Sequence, residues 1–388
     1  MMKKFAKMFV VIMVLTMLIS ACAPKAPEGP KEPEKQDTSV GEGETTFGLI
    51  PFEEKQTLRI GFFTGSPLSY PFLFADKLGY FDELNIEIVY KPFTNGPAMN
   101  EANADWDIGG VGLGGLANGM RGYGFHIIDI VDYEDNLALF ARAGTPLAED
   151  PTNPENWKGT EWIYPAGTTA QATLVSALKE VGLSLDDIVS INMDVSNALT
   201  GFNGGTGDGL GVWNVIAFNA EDAGHIRIGD SGSLGFKAPC GTIVTPETLE
   251  AKRELIETAV AVFKFTTEWL YESDENMAQA TQWFLENVES EGLKIDESVA
   301  QRVMDWYRGP TMAEYFEIYT EKSPDDAGLY TSRDLIQAEK DILVGLDFFI
   351  SQGNYTNEER TEFLDNGLID PSVALGIKAM LEKLNIDY

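Results

Sequence analysis

From Leu58 onward the sequence alternates short apolar runs with amphipathic helical stretches. The segment LRIGFF has the pattern of a buried strand, YPFLFADKLGYF that of a helix that begins at a proline, and IEIVYKPF that of a second strand. This alternation is typical of β-α-β units around a mostly parallel sheet. A second series of the same kind follows the segment NLALFARAGTP. The sequence therefore predicts an α/β fold with two lobes.

The last third of the chain has the pattern of long helices. Thr245 is a plausible N-cap, Pro246 suits the first helical position, and Glu247 lies where the helix dipole favours an acid. We predict helices from here to the end of the chain, among them DENMAQATQWFLENV and LIQAEKDILVGLDFFISQG, the second of which ends at Gly353.

The first residues have the pattern of a targeting segment. Lys3, Lys4 and Lys7 precede an apolar run from 8 to 19, and small residues precede Cys22. The segment ISAC resembles a bacterial lipoprotein box. We therefore predict a signal peptide over 1–21, a lipid anchor on Cys22 and a polar, disordered tether over 22–56. Secretion with a chance cysteine is the alternative. Both readings place the folded body outside the cytoplasmic membrane.

The composition excludes several functional classes. The chain has 61 Asp and Glu against 28 Lys and Arg, and loss of the three N-terminal lysines would take the formal charge from −33 to −36, which argues against nucleic-acid binding. With Cys22 lipidated, only Cys240 remains, so no disulfide or cysteine metal site is expected. No catalytic motif surrounds His126 or His225. We predict no cofactor, no metal and no enzymatic activity.

The segment YPAGTTAQATLVSALKEVG combines an uncharged start with an amphipathic helix. Its apolar stripe is formed by Leu174, Val175, Leu178 and Val181, and is expected to pack on a sheet. Gly167 to Ala170 then form a neutral helix N-terminus beyond the strand ends, which suits a carboxylate, sulfonate, phosphate or carbonyl group. The alternative is a cap that only completes its own helix.

Several of these segments, taken together, resemble the extracytoplasmic solute-binding proteins of ABC importers for nitrate, sulfonates, taurine and thiamine-pyrimidine precursors. The resemblance is carried by LRIGFFTGSPLSYPFLFADKLGYF, WDIGGVGLGGLANG, WKGTEWIYPAGTTAQATLVSALKEVG and NMDVSNALTGFNGG. The family's D-A-…-V-W-x-P motif is present only as GDGLGVWNV, where Gly209, Asn214 and Val215 replace the usual alanine, acid and proline.

The resemblance implies a type II periplasmic-binding-protein fold, an α/β fold whose two lobes hold the ligand in a cleft between them. Lobe 1 would comprise 57–141 and 239–388 with the C-terminal helices, and lobe 2 would comprise 142–238, with crossings near 137–144 and 236–243. It also implies a small-molecule solute, an ABC permease and ATPase as partners, membrane attachment through the lipid, and a monomer.

Site residues are carried over by the same resemblance. They are Thr64, Gly65, Ser66 and Tyr70 in the first loop, Gly112, Leu113 and Gly114 in the second, and Gly167, Thr168, Thr169, Ala170, Met193, Asp194, Trp213, Asp230 and Ser231 in lobe 2. Core packing is the alternative for Trp213. A helix cap or a solvated strand end is the alternative for Asp194 and Asp230.

The candidate loops 64–71, 109–119 and 165–171 contain no Lys or Arg. A desolvated small anion normally needs charge-assisted donors, so a larger organic solute is favoured, with Phe62, Phe63, Tyr70 and Trp213 available for stacking. We expect an aromatic or heterocyclic solute, with a sulfonate-like one as the other option. A solute-sensing lipoprotein without a transporter remains open. A pyrimidine-precursor synthase would need a reactive histidine and a cofactor lysine, which no motif here supplies.

Overall fold

The computed structural model describes residues 45–351 and 353–388. The predicted signal peptide, Cys22 and residues 23–44 of the predicted tether lie outside the described residues. The described chain builds two lobes, each around a five-stranded sheet, and a further set of helices follows.

The first lobe begins with alternating strands and helices, as the apolar periodicity predicted. Its elements are β1 (Gln56–Phe63), α1 (Tyr70–Lys77), α2 (Tyr80–Glu83), β2 (Ile86–Phe93), α3 (Gly96–Glu101), β3 (Ile108–Val111), α4 (Leu113–Tyr123) and β4 (His126–Glu134). A 3-10 turn at Pro67–Ser69 precedes α1.

The second lobe has the same alternation. Its elements are β5 (Ala138–Ala141), α5 (Pro146–Glu149), β6 (Glu161–Tyr164), α6 (Thr169–Glu180), β7 (Val189–Asn192), α7 (Val195–Asn203), β8 (Gly209–Val212), α8 (Asn214–Asp222) and β9 (Ile226–Asp230). Short 3-10 turns lie at Pro154–Asn156 and Leu185–Asp187. Leu174 and Leu178 of α6 are buried against this sheet, as the apolar stripe predicted.

The chain returns to the first lobe through β10 (Ala238–Val244) and continues mainly as helices. These elements are α9 (Pro246–Ala251), α10 (Arg253–Glu272), α11 (Asp274–Ser290), α12 (Glu297–Trp306), α13 (Met312–Thr320), β11 (Lys322–Ser323), β12 (Leu335–Ile336), α14 (Gln337–Ser351), α15 (Asn357–Asp365) and α16 (Ser372–Leu384). Thr245 caps α9 by accepting a hydrogen bond from the Thr248 amide, as its place before Pro246 predicted.

The two sheets have the same topology. The strand order is β2-β1-β3-β10-β4 in the first and β7-β6-β8-β5-β9 in the second. In each sheet one strand, β10 or β5, is antiparallel to both of its neighbours, and the other four run in a common direction. In each lobe, this antiparallel strand is the first strand that the chain forms after it crosses from the other lobe. The crossings are residues 135–137 and 231–237, a few residues before the stretches that the sequence predicted.

Residues 45–55 pack on the first lobe, although the tether was predicted to extend to residue 56. The ring of Phe47 stacks on Phe265 of α10 with a centroid distance of 4.6 Å, and Leu49 is 3 % exposed. The Thr46 amide donates to Glu83 at 2.7 Å. The polar composition of the tether obscured these two apolar anchors, and the described body therefore begins before the predicted boundary.

The first lobe contains a fully buried ion pair between its sheet and α10. Lys264 is 0 % exposed, Asp129 of β4 is 1 % exposed, and Nζ lies 2.7 Å from the Asp129 carboxylate. Lys264 also donates to the Ile130 carbonyl at 3.3 Å. Burial raises the pKa of Asp129 to about 6 and lowers the pKa of Lys264, while each charge opposes the shift of the other.

Within residues 45–351 and 353–388, the helices are all too short or too polar to cross a membrane.

Candidate functional site

A cleft lies between the lobes where several strands end and helices begin. The helices α3, α4, α6 and α8 begin at Gly96, Leu113, Thr169 and Asn214, and each follows a strand whose carboxyl end faces the cleft. The residues that line the cavity are Phe63, Ser66, Leu68, Gly96, Pro97, Gly112, Gly115, Glu134, Leu137, Thr168, Thr169 and Trp213. Both lobes contribute, so a solute held here would contact both at once.

The cavity is narrow in this arrangement. It contains about 370 Å³ of space between atoms, including the part open to solvent, but only about 30 Å³ admits the centre of a water-sized sphere. A buried water needs roughly 10–15 Å³ by this second measure. The lobes must therefore separate for an organic solute to enter, and the cavity must be wider when a solute occupies it.

Direct hydrogen bonds hold the lobes together at the cleft edge. The Gly114 amide donates to Thr169 Oγ1 at 3.1 Å, Asn118 Nδ2 donates to the Gly167 carbonyl at 3.0 Å, and Asn95 Nδ2 donates to Asp194 at 3.2 Å. Each joins lobe 1 to the start of α6 or α7 in lobe 2. The start of α6 thus contributes to the contact between the lobes, and the Thr168 side chain makes no capping hydrogen bond to its own helix.

The two lobes approach each other closely at Gly114. A Cβ atom at this position would lie 2.9 Å from the Gly167 carbonyl oxygen and from backbone atoms of Thr168 and Thr169. Only glycine allows the backbones of α4 and α6 to meet at this distance. Glycine at residue 114 is therefore required by the contact between lobes.

Glu134 is the charged residue among those that line the cavity. It ends β4, is 6 % exposed, and accepts a hydrogen bond from Asn214 Nδ2 at 3.0 Å. Burial raises the pKa of Glu134, and hydrogen bonds from Cys240 and Asn214 oppose this rise. Glu134 is not among the site residues predicted from the sequence, because an acid at a strand end usually lies in solvent. The available signal was the run of acids 129, 132, 134 and 135 around an apolar strand.

Asn214 has an unusual backbone conformation at the start of α8. Its φ is 45°, in the left-handed region that asparagine tolerates better than most non-glycine residues. Its amide reaches Glu134 in lobe 1 and also lies 3.5 Å from Ser66 Oγ. The asparagine that departs from the family motif therefore links α8 to the buried acid across the cleft.

The predicted site residues divide into several groups in the structure. Those that line the cavity are Ser66, Gly112, Thr168, Thr169 and Trp213. Those that form the contacts between lobes are Gly114, Gly167 and Asp194. Leu113 and Ala170 are fully buried in the first turns of α4 and α6.

The remaining predicted residues lie away from the cavity. Thr64 donates to Glu291 beyond α11, Tyr70 accepts from Asn287 of α11 at 3.0 Å, and Gly65 packs near Val215 and Leu293. Met193 packs near Gly201 of α7. Asp230 ends β9, where it pairs with Arg227. Ser231 begins the second crossing, and its Oγ accepts from the Leu137 amide of the first crossing at 3.2 Å.

The aromatic residues proposed for stacking are split in the same way. Phe63 and Trp213 line the cavity, whereas Phe62 and Tyr70 line a separate, smaller space beside Tyr90. The described residues that line the cavity include no Lys, Arg or His. In the described part of the chain, no group of three or more His, Cys, Asp and Glu side chains is placed to hold a metal ion.

Comparison with known proteins gives the same fold. No family model matches the chain. A Brucella abortus protein named only as a binding protein, without a ligand, is 24 % identical over 286 residues, which cover 68 % of this chain and 86 % of that protein.

Solved structures match over most of the chain. The alkanesulfonate-binding protein SsuA from Xanthomonas axonopodis pv. citri bound to MOPS has a TM-score of 0.57 at 18 % identity, covering 78 % of this chain and 95 % of that one. The zinc-bound ligand-binding component of an ABC-type import system from Staphylococcus aureus has a TM-score of 0.60 at 12 % identity, covering 83 % and 98 %. This chain therefore has the two-lobed fold of the periplasmic binding proteins, as its resemblance to extracytoplasmic solute-binding proteins predicted.

Proposed function

We propose that this protein is the solute-binding component of an ABC importer. The observation that carries the proposal is the cleft itself, which is lined from both lobes by the starts of helices and is closed by hydrogen bonds between the lobes. The structural neighbours from Xanthomonas and Staphylococcus, described as an alkanesulfonate-binding protein and as an importer component, support it. The described lining lacks the histidine and lysine that a pyrimidine-precursor synthase would need, which favours binding over catalysis.

The proposed mechanism is hinge closure about the crossings 135–137 and 231–237. The hydrogen bond from the Leu137 amide to Ser231 Oγ joins the two crossings, so they would move as one hinge. A solute stabilises the closed form only through contacts that it makes better there than in the open form. The lining from both lobes supplies such contacts. A permease would then recognise the closed form and accept the solute.

We propose that the solute is a small organic molecule with an aromatic or heterocyclic ring. Phe63 comes from lobe 1 and Trp213 from lobe 2, so a ring bound between the lobes can contact both side chains. A sulfonate-like solute is the other option, since the helix N-termini offer N–H donors to an anion. The lining offers no lysine or arginine to strengthen such binding.

We also propose that the protein acts outside the cytoplasmic membrane, as a monomer held there by a lipid on Cys22. The importer proposal and the lipoprotein-like segment ISAC support this location. The lipid would keep the protein near its permease.

A thermal-shift screen tests the proposed function. The purified protein is heated with sulfonates, nitrate, thiamine-pyrimidine precursors, flavins, aromatic acids and amino acids. A solute at about 100 times its dissociation constant adds roughly 2.7 kcal/mol to the stability, which raises the melting temperature visibly. The proposal is supported if an organic solute binds and if X-ray scattering shows that the lobes close when it is added. Absence of binding to every compound counts against it.

Trp213→Ala is expected to weaken solute binding at least about tenfold, or about 1.4 kcal/mol, because the ring loses its packing surface in lobe 2. Trp283→Ala is the matched control, since Trp283 is also partly buried but stacks on Trp269 outside the cleft. Affinity is measured by calorimetry with the solute found in the screen. Equal affinity of both variants would show that Trp213 serves core packing.

A further inference from the structure

The cavity contains a buried acid that has no cationic partner. Glu134 is 6 % exposed, and among the described residues no Lys, Arg or His forms an ion pair with it. Burial of a carboxylate in this way is unfavourable unless hydrogen-bond donors surround it. The described donors beside it are the Asn214 amide and the Cys240 thiol, both of which are neutral.

The carboxylate retains unused acceptor capacity on the side of the cavity. An ionised carboxylate can accept about four hydrogen bonds, and Asn214 Nδ2 occupies one site on Oε1. Gly112 has no side chain to cover the other oxygen, whereas a Cβ atom there would be in contact with Oε2 at 3.7 Å. A solute in the cavity can therefore supply further donors to this carboxylate.

The surrounding structure fixes the position of this acid. Asn214 adopts a left-handed φ of 45° where most side chains would be strained, and from there it reaches both Glu134 and Ser66. Asp132, on the same strand, is also buried, and its pKa is raised to about 7 by burial and by the nearby Glu134.

We propose that Glu134 selects the solute by accepting hydrogen bonds from an N–H group, so that the solute is a nitrogen heterocycle, an amide or an amidine with free N–H donors, rather than a sulfonate or nitrate anion. This deepens the proposed solute-binding function and rests on it. The start of α6 also lines the cavity, through Thr168 and Thr169, and a helix N-terminus suits an acceptor atom of the same solute. Asn214 is the positioning residue that holds the carboxylate.

The test compares two sets of compounds by calorimetry on the wild-type protein and on Glu134→Gln. The first set contains adenine, cytosine, benzamide and benzamidine, and the second contains benzenesulfonate, taurine, MOPS and nitrate. We expect the wild-type protein to bind compounds of the first set and none of the second. Glu134→Gln should bind the same compounds at least tenfold more weakly than the wild-type protein does. Glu268→Gln is the matched control, because Glu268 is a half-buried acid on α10 that accepts from the Met312 amide.

A second comparison needs no variant. 9-Methyladenine is compared with 9-methyl-6-dimethylaminopurine, and benzamide with N,N-dimethylbenzamide, on the wild-type protein, because the second compound of each pair has no N–H group. Loss of the N–H donors should weaken binding at least tenfold, because the buried acceptor is then left unpaired. Equal affinity within both pairs would overturn the inference even if Glu134→Gln failed to fold.

The outcomes separate the two proposals. Binding of sulfonates or nitrate, with affinity unchanged in Glu134→Gln, would overturn the role of Glu134 and leave the solute-binding function standing. Absence of binding in both sets would overturn the inferred compound class and would also count against the function.

Discussion

Lys264→Met is expected to lower the free energy of unfolding by about 3–5 kcal/mol, because it leaves Asp129 buried without its counter-charge. The ammonium group lies 2.7 Å from the carboxylate, and both side chains are almost completely inaccessible. The group also lies 4.8 Å from the ring centre of Tyr315, so the variant loses a cation–π contact as well. Urea denaturation measures the change.

Two controls distinguish loss of the pair from loss of packing. The double variant Lys264→Met with Asp129→Asn removes both charges and should recover most of the lost stability, since a well-packed neutral pair is often as stable as an ionic one. Lys55→Met removes an exposed pair, with Lys55 and Glu87 both more than half exposed, and should cost less than about 1 kcal/mol. If Lys264→Met were as stable as Lys55→Met, the prediction would be contradicted.

Much of the fold was predictable from local pattern. Apolar periodicity located the strands and helices of both lobes, because each strand and helix buries one face or stripe whatever its neighbours are. The cap at Thr245 followed from residue types alone, since threonine, proline and an acid occupy adjacent positions with different roles. His126 begins β4, away from the residues that line the cavity, and its Nδ1 lies 2.7 Å from Asp370.

The residues of the cleft were harder to predict because their exposure depends on distant parts of the chain. Glu134 resembles a solvated strand-end acid until β10 and Asn214 enclose it. Tyr70 follows a loop that resembles a family binding loop, yet its hydroxyl meets Asn287 on a helix more than two hundred residues later. Composition of the nearby segment gave no indication of either partner.

The predicted residues that do reach the cleft share one property. Ser66, Gly112, Thr168 and Trp213 all lie at the junction between a strand or loop and the start of a helix. That junction is visible in sequence as a change of periodicity, and in a two-lobed α/β fold it faces the cleft. The sequence could therefore indicate which residues line the cavity where their position follows from topology, and not where it depends on long-range side-chain contacts.

Gly114→Ala is expected to weaken solute binding about 5- to 150-fold without unfolding the protein. The new methyl group would lie 2.9 Å from backbone atoms of Gly167, Thr168 and Thr169, whereas ordinary contact begins near 3.4 Å. Overpacking of this kind costs about 1–3 kcal/mol, and here only the closed form experiences it, so the equilibrium shifts toward open lobes.

The same helix provides the matched control for this prediction. Gly122 also lies in α4, but a Cβ atom there would have no heavy atom within 4 Å, so Gly122→Ala should leave affinity unchanged and add about 0.5–1 kcal/mol of helix stability. Calorimetry gives the affinities, and the radius of gyration from X-ray scattering, with and without solute, reports closure. If Gly114→Ala binds and closes like Gly122→Ala, the contact between α4 and α6 does not limit closure. If the radius of gyration shows that only Gly114→Ala stays open with solute present, lobe closure depends on the absence of a side chain at this one position.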